Sequence, residues 1–374
     1  MKRAGNLWPQ LTSWENLHAA ALAAARGKRK RPDVAWFLFD LEPNVCALQR
    51  ELLAGTWKPG EYRTFWIRDP KPRMISAAPF RDRVVHHAVT RVLETVFEPR
   101  FTASSFASRK GFGQHKALRK ARAACGRFRY VLKCDIRKYF PSMDHSILKE
   151  LLERAIKCRP TLDLVSSIID GSNQQEEAIA FFPSDTLFTR LERRKGLPIG
   201  NQTSQFFANV YLNPLDHFVL RDLRPALYLR YVDDFVLFGD DKAALASMRG
   251  RIVARLEGLR LELNDGKSRV YRCADGVTFL GWRLFPGFAR LPRRNVVCMR
   301  RRLRRIAERF HRAEMDFASV RRRISAWLGH AAFGDTWRIR RKLFGGFILV
   351  GAERSRSARG FVEQQHQERP GVEP

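Results

Sequence analysis

Between residues 128 and 148, FRYVLKCDIRKYFPSMDHSIL, the apolar positions Tyr130, Val131, Leu132, Cys134 and Ile136 are dense enough to predict a buried strand. A turn at Pro141 and Ser142 follows, and helix-like sequence begins near Asp144. Further on, RYVDDFVLFGDD (230–241) sets two aromatic and β-branched runs on either side of Asp233 and Asp234. That is the pattern of a hairpin with acids at its tip. After Arg290 the period changes. In CMRRRLRRIAERFHR (298–312), Met299, Leu303, Ile306 and Phe310 fall on one helical face and arginines cover the others. The segment 150–195 contains a loop-like polar insertion, DGSNQQEEAIA, and 351–374 reads as a disordered tail. No apolar run approaches the roughly 20 residues of a membrane span.

Composition changes this picture in one respect. Hydrophobic residues make up 45%, ordinary for a folded chain, but 69 Lys+Arg stand against 38 Asp+Glu, a formal net charge of +31. Such a surplus calls for a polyanionic partner, most simply nucleic acid. Neither a lipidation signal nor a signal peptide accompanies the charge, so a membrane partner is not expected and a cytoplasmic location is. The six cysteines show no C-x-x-C spacing, which argues against a zinc site or disulfide framework. His86 and His87 are adjacent and make a poor chelate on a helix.

The acids carry the candidate chemistry. A pair of Asp residues at a hairpin tip is commonly a solvated turn, so Asp233 and Asp234 need a partner to mean more. Asp135, near the end of the predicted strand, supplies one, because a lone buried carboxylate costs several kcal/mol unless paired or ligating a metal. If strand and hairpin are neighbours, three carboxylates converge, and their mutual repulsion implies divalent cations. Two such ions can activate a 3′-hydroxyl and stabilise a leaving pyrophosphate. Phe140, five residues past Asp135, is placed to sit under an incoming sugar as a steric gate, or simply to pack in the core.

This arrangement resembles a reverse transcriptase. The order of blocks agrees: DPKPRMISAAPFRDRVVHHAV (69–89), SSFASRKGFGQHKAL (104–118), GLPIGNQTSQFFANVYLNPLD (196–216), LELNDGKSRVY (261–271) and GVTFLGWRLF (276–285) flank the two acidic segments. The resemblance implies an α+β right-hand polymerase fold with fingers, a palm whose antiparallel sheet has helices on one face, and a helical thumb. The expected boundaries are 1–130 for the N-terminal segment and fingers, 131–290 for the palm and 291–350 for the thumb. It implies Asp135, Asp233 and Asp234 as catalytic residues, which with Ile136 hold two Mg2+ ions, Mn2+ being an alternative. Lys71, Arg73, Phe140, Ile199, Gly200, Gln205 and Lys267 would contact the nucleotide. Arg109, Lys110, Leu280, Gly281, Trp282, Arg301, Arg304 and Arg305 would contact template or primer. The expected partners are template RNA, the cDNA/RNA hybrid and deoxynucleoside triphosphates.

The block at 196–216 narrows the resemblance. Ile199-Gly200 followed by Ser204-Gln205 is similar to the enzymes of diversity-generating retroelements, as are DRVVHHA, KYFPSMDH and the Trp327…His330 spacing; Gln202 departs from that family's usual apolar residue. Ile199 cannot donate or accept a side-chain hydrogen bond near the nascent base pair, which would lower discrimination. The resemblance implies error-prone copying opposite adenine and a small basic accessory protein. The stretch after Arg290 is short for a thumb plus an RNase H domain, so template, priming and integration are expected from elsewhere. A retron or phage-defence reverse transcriptase shares the chemistry. A non-catalytic RNA-binding protein with the same fold is the alternative of another class.

Overall fold

A computed structural model describes residues 2–67, 72–172, 182, 185, 186 and 193–350. Lys71, most of the 150–195 insertion beyond Ser172, and the tail 351–374 lie outside the described residues. The chain divides into two compact units, the first running to Leu280 and the second starting at Gly281.

The first unit opens with helices Trp8–Thr12, Trp14–Ala25, Pro32–Phe39 and Leu41–Leu53. They gather around the helix Phe80–Phe97, whose Val84, Val85, Ala88, Val89 and Leu93 are buried together. Two strands precede that helix: β1 (Arg63–Ile67) pairs antiparallel with β2 (Arg73–Ala77). The helix Gln114–Arg127 leads into the central sheet. Its strands are β3 (Tyr130–Asp135), β4 (Leu227–Tyr231), β5 (Asp234–Gly239) and β6 (Arg269–Arg272), in the antiparallel order β4-β5-β3-β6. The expected strand at 130 and hairpin at 230 are therefore neighbours.

Register decides what each sheet face carries, because residues directly opposite in an antiparallel pair point the same way. Leu132 faces Leu237 and Cys134 faces Phe235, and all four are buried in the main core. That core also includes residues from the helices His145–Glu153, Gln202–Phe218 and Lys242–Glu257. Asp135 faces Asp234, so these two carboxylates share the opposite face, at the end of the ladder. The helix expected near Asp144 begins at His145, with the Asp144 carboxylate accepting from the Ser146 and Ile147 amides as its N-cap. A short strand β7 (Val277–Phe279) ends the unit.

Among its described residues the second unit contains the antiparallel pair β8 (Trp282–Leu284) and β9 (Ala289–Arg290) and the helices Arg293–His311, Phe317–Ala331 and Trp337–Phe344. In the first helix Met299, Leu303 and Ile306 are buried and Phe310 is partly buried, while Arg301, Arg304 and Arg305 are exposed. The amphipathic spacing thus builds the small core of this unit and leaves its cations outside.

Candidate active site

Three chain segments bring the acids together. Asp135 closes β3, Asp234 opens β5, and Asp233 lies in the two-residue turn that joins β4 to β5. The Ile136 amide donates to the Asp233 carbonyl at 3.2 Å, tying the turn to the end of β3. Ile136 also bridges Leu263, through Arg137 N–H to Glu262 O and Asn264 N–H to Asp135 O. Those bonds leave the Ile136 carbonyl out of the bridge.

The turn is held in an unfavourable conformation. Val232 has φ +57°, which a β-branched residue rarely adopts. Beneath it, Arg230 is completely buried. Its Nε and Nη2 donate to the two Asp216 carboxylate oxygens at 2.7 and 2.6 Å, and Nη1 donates to the Val232 carbonyl at 3.0 Å. The Tyr228 hydroxyl donates to the same carboxylate at 2.7 Å. Burial alone would push the guanidinium pKa down, but Asp216 outweighs it and holds Arg230 firmly charged.

The electrostatics around the acids fit a cation site. Burial, with Asp135 adding, raises the Asp233 pKa against opposing Lys267 and Arg73. Asp234 is pushed up to about 6, by burial first and by Asp135 and Asp233, although Lys133 opposes the shift. Its Oδ1 is buried without a hydrogen bond, and the Lys133 ammonium stands 3.5 Å away. Lys267 Nζ donates to Asp135 Oδ2 at 2.6 Å. Carboxylates this crowded lack positive charge, and lysines meet part of the need. Among the described residues no three His, Cys, Asp or Glu side chains close around an ion.

Of the residues expected to contact the nucleotide, those described lie in the first unit. The Ser76 amide of β2 donates to the Ile199 carbonyl at 3.2 Å, placing the Ile199-Gly200 loop against the strand that begins with Arg73. Gly200 has φ +126°, and a Cβ there would meet Ile75 Cγ2 at 3.3 Å, so this approach requires glycine. Gln205 accepts from the Ser108 hydroxyl at 3.0 Å. Phe140 is half-buried, edge-on to Tyr139 with ring centres 5.6 Å apart, and packs against the main core.

Two expected template or primer contacts take other places. Arg109 turns inward: Nε donates to Glu98 Oε1 at 2.9 Å, and Nη1 donates to the Thr102 and Ser105 carbonyls. Its guanidinium also lies 4.0 Å from the Phe112 ring centre. With 5% of its side chain exposed, it staples a loop and is not displayed to a template, whereas neighbouring Lys110 is exposed. Trp282 is fully buried inside the second unit against His330 and Phe333, because its large ring forms part of that unit's core. Leu280 and Gly281 both have positive φ, 46° and 81°, and the Leu280 carbonyl accepts from Gln114 Nε2 at 2.8 Å. The Arg230–Asp216 pair was not anticipated from the sequence.

Asp135 and Asp234 face each other at the end of an antiparallel sheet, with Asp233 in the adjoining turn and the charge of Arg73 from β2 acting on it. Residues 64–284 match the family Reverse transcriptase (RNA-dependent DNA polymerase), and the chain belongs to it. It is 27% identical over 277 residues to Protein YkfC of Escherichia coli K12, covering 63% of this chain and 70% of that protein. It is 26% identical over 183 residues to the group II intron-encoded protein LtrA of Lactococcus lactis subsp. cremoris, covering 48% of this chain and 29% of LtrA. Nuclear intron maturase 2, mitochondrial, of Arabidopsis thaliana is 28% identical over 142 residues, 34% of this chain and 19% of that one. Apo telomerase from Candida tropicalis is similar at 15% identity and a TM-score of 0.46, covering 62% of this chain and 55% of that chain. No helix among the described residues is long and apolar enough to cross a membrane.

Proposed function

We propose that this chain copies an RNA template into cDNA by divalent-metal nucleotidyl transfer. The observation that carries this is the facing of Asp135 and Asp234 across the β3–β5 ladder, with Asp233 in the adjoining turn. Asp135, Asp233 and Asp234, with the Ile136 carbonyl, would hold two Mg2+ ions. Bound there, the ions would lower the cost of a 3′-alkoxide and of the charge on departing pyrophosphate. The protein supplies position: Arg73 offers a planar fork to phosphate oxygens, and Lys267 stands ready beside Asp135. Half-buried Phe140 would leave no room for a 2′-hydroxyl. Exposed Arg301, Arg304 and Arg305 would follow the backbone of the hybrid.

We further read the chain as the error-prone enzyme of a diversity-generating retroelement, working with a small basic accessory protein. Support comes from Ile199, whose carbonyl is fixed against β2 while its side chain offers no hydrogen bond to a base pair. The general assignment is tested by Asp233→Asn. Primer extension in magnesium is expected to be abolished while RNA affinity stays within about twofold, because lysine and arginine contacts remain. Near-normal extension by this variant overturns the metal-site reading.

A further inference from the structure

The helix Pro32–Phe39 has two unlike faces. Val34 is fully buried, and Phe37 meets Phe80 edge-on with ring centres 5.1 Å apart. Trp36 and Phe39, three residues apart and so neighbours on one face, are 74% and 82% exposed. A single exposed aromatic is ordinary, but two adjacent ones forgo burial worth several kcal/mol. The loop leading into this helix, Arg26-Gly27-Lys28-Arg29-Lys30-Arg31, holds five cations in six residues, all of them exposed. Asp33 is an acid partner at this point, 3.4 Å from Arg31.

Cations from a second element join the cluster. Although Lys28 is exposed, partial desolvation and then repulsion from Arg83 and Arg31 hold its ammonium below the usual range, with Asp33 opposing. His87 is lowered to about 4, by burial and then by Lys28, Arg91 and Arg83. Charge thus accumulates between the loop and the helix Phe80–Phe97, at an energetic cost in the free protein. An arriving polyanion removes that cost and releases counterions.

We infer that this face binds an unpaired stretch of RNA, its backbone on the 26–31 loop and its bases stacked on Trp36 and Phe39. The inference rests on the polymerase reading for its choice of polyanion. An acidic polypeptide would satisfy the cations but leave the rings without use, and a duplex hides its base faces. Unpaired bases meet both needs, since each base stacked on an aromatic ring contributes about 1–3 kcal/mol without regard to sequence. None of these residues belongs to the acid cluster, so the surface would hold RNA outside the copied base pair.

The test uses the full chain with primed RNA templates of equal duplex length, carrying either a long or a short single-stranded extension. Wild-type protein should bind the long form more tightly. The variant Trp36→Ala/Phe39→Ala should lose about tenfold affinity for the long form and little for the short one. The variant Lys28→Gln/Arg29→Gln/Lys30→Gln should flatten the dependence of log affinity on log salt by about 0.7 per lost contact, on the long form alone. Both variants should extend the short template at the wild-type rate. Failure of wild-type protein to extend that template would count against the polymerase reading separately. Unchanged binding of the long form by both variants, or equal losses on both forms, overturns the RNA surface and leaves the rings to a protein partner.

Discussion

Arg230 holds the carbonyl of Val232 at 3.0 Å while its other nitrogens engage Asp216, so a buried ion pair braces the strained turn that presents Asp233. Removing Arg230 alone leaves Asp216 uncompensated in the core, a loss of about 3–5 kcal/mol. Arg230→Met should therefore unfold well below the wild-type temperature. Arg230→Lys keeps the charge but cannot span the carboxylate and the carbonyl together. It should melt within several degrees of wild type yet show kcat at least tenfold lower, with KM for the deoxynucleotide little changed. Thermal melts and steady-state extension separate these effects. Wild-type kcat in the lysine variant would show that the brace is structural only.

The acid cluster should cost stability when no metal is bound. The Asp234 carboxyl is raised from an ordinary 3.8 to about 6, so the folded state binds its proton more tightly than the unfolded chain. Between those values stability falls as pH rises, and the full cost persists above pH 6. Asp234→Asn removes that charge and should stabilise the metal-free protein at pH 7.5 by about 1–3 kcal/mol. At pH 4 most of the gain should be lost. Chemical denaturation in EDTA at both values checks the sign; equal effects at the two pH values would contradict it.

Arg109 should behave as a staple. Arg109→Ala leaves the Thr102 and Ser105 carbonyls and part of Glu98 without a partner, which should cost about 2–4 kcal/mol. The slope of RNA affinity against salt should stay at the wild-type value, because no phosphate contact is lost. A reduced slope at unchanged stability would return Arg109 to the template.

The strand at 130 and the hairpin at 230 were legible because period and turn chemistry agree there, and the register then carried Asp135 to Asp234. Arg109 misled because an arginine beside Gly111 looks displayed, while the carbonyls that capture it are placed by the turn around Phe101. Trp282 misled for a related reason: the order of blocks locates a residue along the chain but not which way its ring points. Arg230 and Asp216 left a signal that went unused. Each is a charge set in apolar surroundings, LYLRYV and YLNPLD, and each could satisfy the other. Opposite charges stranded at core positions in one chain are a pairing prediction.

Ile199 is where fidelity should be decided. Its carbonyl is fixed by Ser76, so substitution changes the side chain without releasing the loop from β2. On the proposed reading, Ile199→Gln would place a hydrogen-bonding group near the nascent pair, worth about 0.5–1.5 kcal/mol net, and each 1.4 kcal/mol is roughly tenfold in discrimination. Misincorporation opposite adenine should fall several-fold and more than opposite the other bases. Ile199 is only half-buried and Gly200 beside it is exposed, so the longer side chain has room and overall rate should change less. Sequencing cDNA made on one defined RNA by both enzymes gives the spectrum directly. Identical spectra would make Ile199 a packing residue and remove the main support for the error-prone reading, while the three aspartates would still define a polymerase.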